Sequence, residues 1–121
     1  MANAINWFEI PVTDMPRAVA FYSAILSAEL TADPSMPGYL MAMLPYQDGV
    51  GGALLYGEGY VPSANGALLY LNGGDDLNNV LGKVEAAGGQ VLTPKTSIGE
   101  NGFMGFFLDS EGNKIGLHSM G

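Results

Sequence analysis

The sequence predicts an α+β fold in which two βαβββ modules form curled mixed sheets around a cavity, with the helices outside. Three observations predict it. First, residues 5–26 and 67–87 repeat one pattern: an apolar strand, an Asp at the turn, then an amphipathic helix. Asp14 and Asp75 are the matching turn residues, about 61 positions apart in a chain of 121. Second, each half ends in a Gly-rich strand, at 50–57 (VGGALLYG) and 113–119 (NKIGLHS). Third, residues 57–66 (GEGYVPSANG) are a Gly-, Pro-, Ser- and Asn-rich break between the halves. The expected organisation is one domain over residues 1–121. Module 1 covers about 1–57, a linker 58–64, and module 2 about 65–121.

Each element has a local reason. Over residues 5–12, Phe8, Ile10 and Val12 alternate with Trp7, Glu9 and Pro11, the period of a sheet with two distinct faces. Asp14 is placed to cap a helix and Pro16 fits its first turn. Ala18, Val19, Tyr22, Ile25 and Leu26 then make one helical stripe. Strands at 29–32 and 39–44 flank a turn at 34–38, and the strand at 50–57 closes the module. In the second half a strand is expected at 65–72. Asp75 or Asp76 caps a helix with the stripe Leu77, Val80, Leu81 and Val84, stopped by Gly88-Gly89. Strands at 90–94, 102–108 and 113–119 follow, the last two joined by a tight turn at 109–112.

Composition narrows the function. Apolar content of 48% with 13% charge describes a globular chain with a core, not a disordered one. Twelve acids against four bases give a formal charge of −8, which repels phosphate backbones and anionic lipid, so neither a nucleic-acid nor a membrane partner is expected. The absence of cysteine excludes disulfides, thiolate metal sites and a cysteine nucleophile. The first residues carry no basic region leading into a long apolar run, so no signal peptide is expected and a cytoplasmic location is the default. Gly49-Val50-Gly51-Gly52 is not followed by a helix and makes no phosphate loop. The turn at 109–113 is too short for a calcium loop.

Three motifs in order carry a resemblance. IPVTDMPRAVAFY lies in the first half, EAAGG ends the second helix, and FFLDSEGNKIGLHS makes the closing hairpin. Together they resemble the vicinal oxygen chelate superfamily, which includes glyoxalase I, bleomycin-resistance proteins and extradiol dioxygenases. The resemblance implies paired βαβββ modules, a small-molecule cavity and often a homodimer, sometimes formed by exchanging modules. It does not imply one reaction. Metal-dependent members take His or Glu ligands from the first and last strands of each module. Carried over, those positions fall at Trp7, at Leu54 or Leu55, at Leu68 and at Gly116. None supplies a lone pair to a divalent ion, so no metal or other cofactor is expected at the usual site.

Alternation assigns the cavity wall. Phe8, Ile10, Leu69, Leu71, Ile115 and Leu117 should pack under helices. Trp7, Glu9, Tyr56, Tyr70, Asn72 and His118 should then face inward. His118, the single histidine, reads either as a half-exposed strand-end residue or as the partner of Glu9 in an acid/base couple. Glu9 interrupts an apolar strand, so its carboxylate needs water, a hydrogen-bond network or a ligand. Glu100 and Asn101 lie on a loop expected near the rim, where turn chemistry explains them equally well. The expected function is metal-independent binding of a small organic molecule by Trp7, Tyr56, Tyr70, Asn72 and Glu100. The alternative is a lyase or isomerase resembling glyoxalase I, working with Glu9 and His118 or with a nonstandard metal site.

Overall fold

The computed structural model describes residues 3–121; the first two positions of module 1 lie outside the described residues. Module 1 runs β1 (Trp7–Pro11), α1 (Met15–Leu26), β2 (Ala32–Pro34), β3 (Leu40–Met43) and β4 (Gly51–Tyr56). Module 2 runs β5 (Tyr70–Asn72), α2 (Asn78–Leu81), α3 (Val84–Ala87), β6 (Gln90–Ser97), β7 (Phe103–Leu108) and β8 (Lys114–Ser119). The sheets have the same plan, β1-β4-β3-β2 and β5-β8-β7-β6. In each, the first strand pairs parallel with the last, and the remaining pairs are antiparallel. The duplicated βαβββ plan is therefore present as the repeat predicts.

Local chemistry explains the boundaries. Asp14 caps α1 through Oδ1, which accepts from the Arg17 N–H at 3.0 Å, and Pro16 sits in the first turn. β2 starts three residues later than expected. Leu30 turns into the core instead, and its N–H donates to Ser23 Oγ at 3.1 Å. The second helix is broken into α2 and α3. At Lys83 the backbone bond tightens to Val80 O, three residues back, beside the weak helix former Gly82. Neither Asp75 nor Asp76 is the helix-boundary residue, which is Leu77, although Asp76 Oδ1 accepts from the Asn78 N–H. β6 runs past Pro94 to Ser97, because an edge strand with register shifts tolerates a missing N–H.

Helices cover one face of each sheet. Ile10, Ala42 and Leu54 of the first sheet and Leu71, Phe107, Ile115 and Leu117 of the second join Phe21, Tyr22, Leu77 and Val84 in one buried cluster. Phe21 of α1 reaches Phe107 of β7, with ring centroids 6.0 Å apart. The helix-covered sides of both sheets thus share one core. Within a single chain, the two uncovered faces lie on opposite sides of that core.

A clamp ties the modules together. Glu111, on the turn between β7 and β8, has a fully buried side chain. It accepts from the N–H groups of Thr13 and Asp14 (2.9 Å each), from Thr13 Oγ1 and from Arg17 Nε (2.7 Å). Burial opposes its ionisation. The Arg17 bond, the Asp14 and Thr13 N–H groups and the Ser110 hydroxyl overcome that and hold its pKa down to about 2. Beside it, the buried Tyr22 hydroxyl donates to Asp109 Oδ2 at 2.7 Å. Asn113 Nδ2 donates to Pro11 O, and Asn113 Oδ1 accepts from the Ser63 N–H, which fixes the linker.

Candidate functional site

The uncovered faces carry the residues that alternation placed inward. In the first sheet, Trp7 and Glu9 pair with Gly51 and Ala53, opposite in facing to Phe8 and Ile10. Trp7 is 38% exposed, and its Nε1–H donates to Glu9 Oε2 at 3.2 Å. The Tyr60 hydroxyl, on the linker, donates to Glu9 Oε1 at 2.8 Å. That bond, burial and the Glu9 charge raise the Tyr60 pKa. Both carboxylate oxygens of Glu9 are therefore engaged. Tyr60 packs edge-on against Tyr39, with centroids 6.2 Å apart. Tyr60 lies on the linker, which low-complexity composition marks only as a break, so sequence reasoning missed it.

Tyr56 falls in the other row. It follows Leu54 at a spacing of two and pairs with Leu40, so it shares the side of Leu54 and Ala42, not that of Glu9. The expectation that Tyr56 lines a wall with Trp7 and Glu9 is corrected by that register.

In the second sheet, Tyr70, Asn72, Gly116 and His118 share the uncovered face with Met104 and Phe106. Tyr70 is 50% exposed and lies 5.7 Å from Phe106, centroid to centroid. Lys114 Nζ caps the same Phe106 ring at 4.6 Å. A side chain at Gly116 would meet the Tyr70 ring at 2.6 Å, so glycine is what lets that ring lie flat on the sheet. His118 Nε2 lies 2.7 Å from the carbonyl oxygen of Asn101. A carbonyl only accepts, so Nε2 carries a proton and donates it to Asn101. A cavity of about 1080 Å³ is lined by Tyr70, Asn72, Ile98, Asn101, Met104 and His118. Glu100 lies on the exposed 3-10 turn Gly99–Asn101 beside it, outside the lining.

Glu9 and His118 do not meet within the chain. Glu9 bonds Trp7 and Tyr60, whereas His118 bonds Asn101, on faces separated by the core. The positions that the resemblance assigns to metal ligands hold Trp7, Leu55, Leu68 and Gly116; Leu54 belongs to the helix-covered row. An indole, two isobutyl groups and a hydrogen do not fit a divalent ion. Among the described residues no three His, Asp or Glu come together as a ligand set. No described helix is long and apolar enough to cross a membrane.

Fold and faces define a class: paired βαβββ modules, each with a helix-covered and an uncovered sheet face. The chain belongs to the Glyoxalase/Bleomycin resistance protein/Dioxygenase superfamily, whose model matches residues 4–117. It is 32% identical over 125 residues to CFP32, a candidate glyoxylase by name, of Mycobacterium bovis and of Mycobacterium tuberculosis. That match covers 93% of this chain and 44% of the relative, so the chain spans less than half the length of those curated proteins. Among solved structures, a glyoxalase/bleomycin resistance protein from Albidiferax ferrireducens T118 superposes with a TM-score of 0.70 at 16% identity, covering 95% of this chain and 97% of that one. A mutant of glyoxalase I from Zea mays gives 0.70 at 22% identity, covering 94% of this chain and 46% of that one. Likenesses at these identities show the fold alone.

Proposed function

We propose that the chain binds a small, planar organic molecule on its aromatic sheet faces, without a divalent ion, and that it does so as a homodimer. One observation carries the reading: of the positions that would hold metal ligands, the uncovered face of one sheet carries Trp7 and that of the other Gly116, with Tyr70 laid over the glycine. Such positions offer stacking and apolar contact, not lone pairs. Dimerisation is supported by the geometry. Each uncovered face is only one wall, and a second copy supplies an opposing one.

Trp7 is the single tryptophan and serves as the reporter. Titrating a panel of planar aromatic compounds should quench its emission saturably for at least one class. Trp7→Phe should bind that compound more weakly when a dye-displacement assay replaces fluorescence. Elemental analysis and Zn or Ni titration should find no stoichiometric ion. An ion bound one-to-one and lost in a Trp7 or Glu9 variant overturns the reading.

A lyase or isomerase is the second reading, and the imidazole of His118 in the cavity lining, held through Nε2 by Asn101, supports it. On this reading Glu9 of one copy works opposite His118 of another. Glu9→Gln and His118→Ala should each abolish turnover of a 2-oxoaldehyde–thiol adduct while leaving the circular-dichroism spectrum unchanged. Equal turnover in wild type and both variants removes the roles.

A further inference from the structure

A second cavity adjoins the first at Tyr70, Leu71, Asn72 and Gly74 and otherwise has its own walls. It lies where the edge strands β1 and β5 approach, and has a volume of about 980 Å³. Its walls are apolar: Ile5 and Phe8 from the β1 side, Ile25 and Leu26 from the end of α1, and Leu71 and Val80 from module 2. The polar lining is Asn3, Gln47, Asn72, Asn79, Ser27 and Lys83. Among the described residues, no Asp or Glu lines it, although the chain carries twelve acids against four bases. Among the described residues, the single cationic side chain in the lining is Lys83.

The other three bases are occupied. Arg17 is bonded to Glu111 at 2.7 Å, Lys95 to Asp76 at 3.0 Å, and Lys114 sits over Phe106. Among the described residues, Lys83 Nζ bonds only the neutral Ser27 hydroxyl, itself part of the same wall. A positive charge without an anion, at the mouth of an apolar and acid-free crevice, is complementary to one ligand chemistry. We propose that this crevice binds an amphipathic monoanion of the medium-chain carboxylate type. The chain packs against Phe8, Leu26 and Leu69, and the carboxylate takes the Lys83 ammonium with the Ser27 hydroxyl. Burial of methylene groups supplies affinity, and the charge-assisted bond supplies head-group preference.

Three probes of equal chain length separate the contributions: octanoate, 1-octanol and octyltrimethylammonium, each below its micelle-forming concentration. Amide-shift titrations on the intact chain should show saturable octanoate binding with perturbations at Leu26, Leu71, Val80 and Lys83. Octanol should bind about tenfold more weakly and the ammonium not at all. Lys83→Gln should abolish the preference of octanoate over octanol while octanol binding stays unchanged. Asn79→Asp, which adds a like charge on the exposed side of α2, should weaken octanoate selectively. The inference is overturned by equal binding of octanoate and octanol to wild type, or by a preference that survives Lys83→Gln. Perturbations centred on Met104 and His118, or no binding because a second copy fills the crevice, overturn it as well. None of these outcomes bears on quenching of Trp7 by aromatic compounds, so the two proposals fail separately.

Discussion

Replacing Glu111 by Gln should cost the protein roughly 3 kcal/mol at neutral pH, and the cost should vanish in acid. The carboxylate is fully buried and faces donors: the Thr13 and Asp14 N–H groups, Thr13 Oγ1, Arg17 and Ser110. A glutamine keeps one oxygen and turns an NH₂ toward groups that also donate. In the fold the carboxyl titrates at about 2 instead of its usual 4.5. That depression corresponds to roughly 3 kcal/mol of stability. The folded pKa lies below the unfolded one, so this stability is complete above pH 4.5 and is lost as pH falls from there toward 2. For a chain of this length the loss amounts to about 10 °C in Tm. The assay is urea unfolding followed by far-UV circular dichroism at pH 7, 4 and 2.5. The difference between wild type and Glu111→Gln should be largest at pH 7 and shrink at each lower pH. A difference under about 1 kcal/mol at pH 7, or one constant across the series, refutes the clamp as the link between modules.

Three further outcomes follow from the core and its turns. Gly102 has φ +100°, and a Cβ there would lie 2.3 Å from the Ser119 carbonyl oxygen. That neighbour is backbone, so Gly102→Ala should lower stability by more than about 2 kcal/mol, read as a fall in Tm. Burial, then the Asp109 charge and hydrogen bond, push the Tyr22 pKa well above its ordinary value. In alkaline ultraviolet titration one of the six tyrosines should therefore ionise only on unfolding, and Tyr22→Phe should remove that late phase while costing about 1–3 kcal/mol. Leu54 is fully buried under α1, so Leu54→Ala should cost about 2–5 kcal/mol in denaturant unfolding.

Much of the fold was legible in the residues. The strand–Asp–helix repeat set the two modules, and period-two alternation correctly separated Ile10, Leu71, Ile115 and Leu117 from Trp7, Glu9, Tyr70, Asn72 and His118. The assignment of Trp7 and Gly116 to the positions of metal ligands rested on the family resemblance, not on alternation. The failures have physical causes. Tyr56 was misfaced because the adjacent Leu54 and Leu55 are both apolar and both buried, so alternation gives no parity there. The second helix was read as continuous because its stripe persists across a local tightening at Lys83.

Alternation states which side of an element is buried, because a wrongly faced apolar side chain costs free energy wherever the element packs. It does not state what the element packs against. The sequence by itself therefore determined two modules, each with a covered and an uncovered sheet face, and the residues in each row. Only the tertiary structure decided that both covered faces share one core, so that Glu9 and His118 face apart. It also decided that Glu111 closes on Thr13, Asp14 and Arg17 more than ninety residues away, and that Tyr60 folds onto Glu9. Such bonds join groups distant in the chain, and no local propensity or period encodes their meeting.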